Sequence, residues 1–197
     1  MGQPEQIGAE PSKAKRRILT AAARLFRSRG FARCTVRELA DEVGILSGSL
    51  FHHFRSKDEI LFAVMEEVIT DMDAALAEAL AAAPGVEDRL RALIRNQLDF
   101  IHGPRGDATA VLVYEWSSLS AEGQARLLER RRAFFERWNT VLSETRRKGL
   151  TDIDPIVLRQ LIHGALVWTA NWFDPEGTES IGDLEQSVYA LIRNRPD

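Results

Sequence analysis

Cysteine is almost missing from this 197-residue chain, and Cys34 stands alone. No disulfide can close within the chain and no multi-thiolate metal site can form, which suits a reducing compartment and leads us to expect a cytoplasmic protein. Long apolar runs are missing too: stretches such as Ala79–Ala83 and Ala165–Val167 fall far short of the roughly 18 to 20 residues of a membrane span, so no membrane association is expected. Met1–Pro11 has neither the basic start nor the apolar run of a signal peptide, so residues 1–12 are expected to form a loose tail. Strand-type alternation is nowhere sustained. Finally, there is no G-x-S-x-G elbow, no phosphate-cradling glycine loop and no histidine pair at metal spacing. A helical enzyme is therefore disfavoured, and no cofactor or metal is expected.

Charge is present but unevenly placed. Lys13 to Lys57 holds eleven Lys or Arg against Glu38, Asp41 and Glu42, a net of +8; the total is −3, so the other 152 residues carry −11. A basic block followed by an acidic remainder is the pattern of a nucleic-acid-reading module joined to something else.

Helical periodicity runs through every clear segment, and an all-α chain of about nine helices is expected. Ser12 is placed to cap a helix reaching Arg29, with Ile18, Ala22, Leu25 and Phe26 on one face and Gly30 as its stop. Thr35-x-x-Glu38 is a capping box opening a short second helix that ends at Gly44. Ser47 or a neighbour starts a third, from about Leu46 to His53. Ser56-x-x-Glu59 is a second box, and it opens a long helix ending at Pro84-Gly85. Further helices are predicted at Val86–His102, near Asp107–Ser117, at Ala121–Lys148 with Gly149 as cap, from Pro155 to Phe173, and at Ser180–Asn194.

Ala40, Gly44 and Leu50 have the spacing of a helix-turn-helix: a small residue where helices cross, a glycine for the turn, and an apolar anchor in the second helix. The run from Thr35 through Leu39, Ala40, Gly44, Leu50, Phe51, His52, His53, Phe54 and Lys57 to Leu61 strongly resembles the DNA-binding domain of the TetR family of bacterial transcriptional regulators. The resemblance covers about residues 13–60. It implies a DNA-binding domain over 13–58 and an effector-binding and dimerisation domain over 59–197. It also implies a recognition helix in the major groove, with Ser47, Gly48, Ser49 and His52 near base edges or phosphates, and phosphate contacts from Thr35 and Lys57. Many members have Tyr where this chain has Phe51, which removes one hydroxyl from that surface while keeping Phe51 in it. Phe54 is expected in the core, His52 outward and His53 partly packed. Cys34, just before a helix, is either redox-sensitive or, more simply, a passive small residue.

All four tryptophans lie in the C-terminal two thirds. A pocket between helices is expected from Phe100, Tyr114, Trp116, Phe134, Trp138, His163, Trp168 and Asn171, with His102 and Glu115 as further polar candidates. The same rings would also serve as plain core and interface, and the sequence leaves both uses open. The resemblance implies a homodimer through the last two long helices, with Leu161, Gly164, Ala165, Leu166, Trp168, Val188 and Leu191 at the contact. Tyr114–Leu119, Arg130–Arg132 and Asn171–Gly177 are similar to a TetR subgroup that regulates lipid or sterol degradation and answers to acyl-CoA thioesters. Such ligands call for arginines; Gln160–Trp172 has none, and Arg130–Arg132 with Arg137 are the candidates. The implied partners are a palindromic double-stranded operator and a small hydrophobic or amphipathic effector. The function expected is a homodimeric repressor; an activator, or a ligand-binding dimer without specific DNA readout, are the alternatives.

Overall fold

Caps decide where the helices of this chain begin. In the computed structural model, which describes residues 13–193, Thr35 accepts from the Glu38 N–H while the Glu38 carboxylate accepts from the Thr35 N–H, so both halves of the box close. Ser56 likewise accepts from the Glu59 N–H, but the Glu59 carboxylate takes the N–H of Arg55 instead of Ser56. Asp154 caps with Pro155 at the first helical position. Ser12, the 1–12 tail and Asn194 lie outside the described residues.

Among the described residues there are nine α-helices and no strand: α1 (Lys13–Arg29), α2 (Val36–Val43), α3 (Ser47–Leu50), α4 (Lys57–Ala82), α5 (Val86–His102), α6 (Gly106–Tyr114), α7 (Ala121–Arg147), α8 (Pro155–Trp168) and α9 (Ile181–Ile192). Two elements are shorter than their periodicity suggests. The recognition segment is helical only to Leu50, because the His52 and His53 amides take the carbonyls three residues back and the chain then turns Phe54 into the core. The segment predicted to run to Phe173 stops as α-helix at Trp168 and tightens into a 3₁₀ turn, Thr169–Asn171. There the Thr169 hydroxyl donates to Leu166 O and receives His102 Nε2 at 2.8 Å, which anchors the turn to the end of α5.

Two apolar clusters hold the chain. The first joins Ile18, Ala22 and Phe26 of α1, Leu39 and Ala40 of α2, Leu50 and Phe54 to the first half of α4, and continues into Val111 and Leu112 of α6 and Leu127 of α7. The second joins Met72 and Leu76 of α4 to α5, Phe134, Trp138 and Leu142 of α7, and the inner faces of α8 and α9. Each large side chain fully buried contributes roughly 1.5–3 kcal/mol, more than a typical surface ion pair. Helix α4 belongs to both clusters, so packing continues across residue 58 and links the two ends of the molecule.

Candidate DNA-reading surface and effector cavity

At the N-terminal end, Gly44 adopts φ +75°, and the Ile45 N–H reaches Ala40 O at 3.0 Å, so the chain reverses sharply between α2 and α3. Ala40 and Leu50 are sealed in the crossing. This leaves a surface of Ser47, Gly48, Ser49, Phe51 and His52, with Phe51 52% exposed. Leu46 stands at the N-cap of α3, donates no cap and is 80% exposed. His53, expected to pack partly, is exposed as well, because burial at this turn is supplied by Phe54.

Thr35 is exposed, but its hydroxyl is engaged: it accepts from the Glu38 N–H and donates to the Glu38 carboxylate at 2.8 Å. The Thr35 backbone bond, then the hydroxyl and Arg29, hold the Glu38 carboxyl below its ordinary range. Lys57 is turned inward. Its ammonium donates to Phe31 O and Cys34 O, each at 2.8 Å, and lies 4.3 Å from the Phe31 ring centroid. A phosphate contact from Lys57 must compete with those bonds. Cys34 is buried and its thiol meets Leu25 O at 3.4 Å; burial pushes its pKa up, so the geometry favours the passive role. Much of the basic block is paired, Arg24 with Glu42, Arg27 with Asp107 and Arg29 with Glu38. Lys13, Arg37 and Arg55 are exposed without a carboxylate partner among the described residues. Arg37 and Arg55 were legible in the sequence only as part of the charge total.

At the other end, a cavity of about 470 Å³ opens between α4, α5, α6, α7 and α8. Ile69, Met72, Leu112, Val113, Leu128, Phe134, Phe135 and Val167 supply its apolar wall, and Gln97, Thr109, Trp116, Arg131, Gln160 and His163 its polar and amphipathic part. Of the eight side chains expected in a pocket, Trp116, Phe134 and His163 line this one. The other five are placed elsewhere. Trp138 is wholly buried against His163, with ring centroids 4.4 Å apart, and serves as core beneath the cavity. Phe100 packs at the junction of both apolar clusters. Tyr114, Trp168 and Asn171 face outward, where Asn171 Nδ2 donates to Trp168 O and to the Tyr114 hydroxyl. The shortening of α8 at Trp168 carries Asn171 off the helical face that the sequence assigned to it.

The other polar candidates are also accounted for. His102 holds the Thr169 turn, and burial lowers its pKa. Glu115 accepts from the Phe31 N–H at 3.0 Å and from Ser118 at 2.7 Å, so it ties the α6 end to the loop after α1. Arg130 and Arg137 are paired with Glu66 and Asp73 of α4, and Arg132 with Glu129. Only Arg131 of that group lines the cavity; Arg159, one residue before the segment in which arginines were sought, shares the Phe135 ring with it, the two guanidinium carbons lying 4.4 Å (Arg159) and 4.7 Å (Arg131) from the ring centroid. Burial, then Arg159, then Arg131, depress the His163 pKa to about 3, so its imidazole is neutral.

On the outer face of α8 and α9, Leu161, Trp168 and Leu191 are 60%, 65% and 79% exposed, and Ile156, Val157 and Trp172 extend the apolar stripe. Gly164 and Ala165 are exposed within it, and a side chain at Gly164 would meet nothing within 4 Å. Val188 is half-buried. No described helix is long and apolar enough to cross a membrane, and no group of three metal-ligating side chains occurs among the described residues.

Residues 18–64 match the family model described as bacterial regulatory proteins, tetR family, and residues 83–195 match that of the tetracyclin repressor-like C-terminal domain. The chain belongs to the TetR family. TetR-family proteins are DNA-binding transcriptional regulators rather than enzymes, and the all-α architecture is theirs. Among TetR-family relatives, the HTH-type transcriptional repressor KstR2 of Rhodococcus jostii (strain RHA1) is 29% identical over 178 residues, 89% of this chain and 87% of that one. The superantigen PfiT is 46% identical, with a TM-score of 0.79 over 93% of this chain and 98% of that chain. AibR, solved with isovaleryl coenzyme A and operator DNA, is 23% identical with a TM-score of 0.83 over 91% and 98%, and shows a shared fold.

Proposed function

We propose that the chain is a homodimeric, cytoplasmic transcriptional repressor that leaves its operator when a small amphipathic molecule fills the α4–α8 cavity. The observation that carries this reading is the pairing, in one chain, of an exposed helix-turn-helix with an apolar-walled cavity whose lining reaches the reading end. Trp116 lines the cavity, and its neighbour Glu115 holds the Phe31 N–H of the DNA-reading end. Helix α4 offers a second route, since Ile69 and Met72 touch the cavity and Lys57 begins the same helix. A ligand shifts such an equilibrium only by binding the released arrangement more tightly, with a coupling of typically 1 to 3 kcal/mol.

Ser47, Gly48, Ser49, Phe51 and His52 are the proposed groove contacts, with Thr35, Arg37 and Arg55 along the DNA backbone, while Lys57 holds the Phe31 and Cys34 carbonyls and so positions the turn before Thr35. The exposed α8 and α9 stripe takes a second copy of the chain, since a single short recognition element rarely supplies enough affinity. Repression is supported by KstR2, and an acyl-CoA thioester effector by the AibR complex and by the Tyr114–Leu119 and Asn171–Gly177 segments. Sedimentation of the chain alone and on a retained duplex tests the assembly: two chains per particle are expected, and one chain per specifically bound duplex would overturn it. The 46% identity to PfiT favours one second reading, a superantigen. Stimulation of T cells by the purified chain, with no retention of any duplex, would put that reading in its place.

A further inference from the structure

Arg131 lines the cavity, Arg159 stacks on the Phe135 ring that lines it, and neither cation has a counter-charge among the described residues. Arg130 and Arg137 of α7 each meet a carboxylate of α4, Glu66 at 3.2 Å and Asp73 at 2.8 Å, and Arg126 stacks on the Phe62 ring away from the cavity, whereas no carboxylate among the described residues pairs with Arg131 or Arg159. Both guanidinium groups converge on the Phe135 ring, and Arg131 lies in addition 5.5 Å from the Trp116 ring centroid. Arg159 Nε, His163 Nε2 and Gln97 Oε1 are sealed from solvent without a hydrogen-bond partner. Native proteins rarely leave buried polar atoms or enclosed charges so. Burial, and then Arg159, draw the Arg131 pKa down.

We propose that the cavity takes a ligand with an anionic head on an apolar tail, and that Arg131 and Arg159 receive the head. The claim rests on the effector reading above and adds the ligand's charge and polarity. A carboxylate or phosphate oxygen near the Phe135 ring neutralises both cations, and neutral His163 offers a ring nitrogen for a further hydrogen bond. Ile69, Met72, Leu112, Phe134 and Val167 then contain the tail. A volume of about 470 Å³ lies within the range of sites for small amphipathic molecules.

The test titrates the purified full chain with octanoate, dodecanoate and cholate, each beside its neutral methyl ester, and with octanoyl-CoA; tryptophan fluorescence reports binding. Each acid or the thioester that binds is expected to do so at least about tenfold more tightly than the neutral ester. R131Q and R159Q are each expected to abolish that preference while ester binding stays within about twofold, and R131K to retain a reduced preference, which separates loss of charge from loss of fold. The free acids against octanoyl-CoA distinguish a carboxylate head from a thioester whose phosphates are held. Saturable binding by none of the anions, or a preference unchanged in R131Q and R159Q, overturns the proposal. Anion binding that is lost in R131Q yet never alters DNA affinity would leave this site standing and remove the effector reading. Methyl esters releasing DNA as well as the acids would do the reverse.

Discussion

The two ends of this molecule differ in how completely they satisfy themselves. Around α1 to α3, the Thr35–Glu38 box of α2 closes, the Gly44 turn is bonded, the Lys57 ammonium is held by carbonyls, and no buried side-chain polar atom among the described residues lacks a hydrogen-bond partner before Glu67. Toward the cavity, Gln97, Trp138, Arg159 and His163 all hold buried polar atoms without partners. A reading surface must arrive at DNA already shaped, whereas a sensing cavity keeps unmet bonds for its ligand. Helix α4 and the Glu115 contact join one regime to the other.

Breaking the finished end should cost most. Phe54→Ala removes a buried ring from the cluster shared by α1, α2 and α4, and is expected to lower unfolding free energy by about 3–5 kcal/mol in thermal or urea denaturation. A loss under about 1 kcal/mol would mean that the reading end is looser than described. The next largest effect belongs to the cavity. His163 titrates near 3 in the folded chain against an ordinary 6.5, so the unfolded chain binds the extra proton between those values. Its contribution is whole above pH 6.5 and fades as pH falls toward 3, amounting to a few kcal/mol at most. His163→Gln should flatten that part of the stability–pH curve; an unchanged curve would contradict the neutral, enclosed imidazole.

Coupling between the ends is smaller. Glu115→Gln weakens the tie to Phe31 N–H and should reduce the effector's influence on operator affinity by roughly 1 kcal/mol while both binding events survive separately. Equal coupling in the variant would assign transmission to α4 alone. Smallest and most discriminating is a pair of cation deletions. Arg55→Ala should weaken binding to all sequences and reduce the salt slope by about 0.9, whereas Lys57→Ala should cost about 1–2 kcal/mol of stability and leave the slope nearly unchanged. A slope change in Lys57→Ala as large as that in Arg55→Ala would show that the ammonium leaves its carbonyls for phosphate. Ser49→Ala, by contrast, should alter preference among sites rather than overall affinity.

The sequence carried the reading end almost entirely, because a helix-turn-helix is written in local signals: Thr35 and Glu38 three apart, glycine at 44, small and large apolar residues at 40 and 50. Where it misled, distant contacts decided. The inward turn of Lys57 depends on the Phe31 and Cys34 carbonyls more than twenty residues away, and the early end of α8 depends on His102. The cavity was legible only in part. An aromatic-rich sequence does not say which rings face a void, so Trp116 and Phe134 lie at it while Trp138 became core and Trp168 faces outward. Arg131 was visible inside a run of three, but its role as the unpaired member follows from the carboxylates of α4 and α7 that claim its neighbours.

The central claim is that this chain reads a specific, symmetric DNA site. Selection of bound duplexes from a random pool by the purified protein at near-physiological salt, followed by sequencing, tests it most directly. A two-fold symmetric motif, its half-sites about one helical turn apart, is the predicted result. Retention that is salt-sensitive but indifferent to sequence would contradict it.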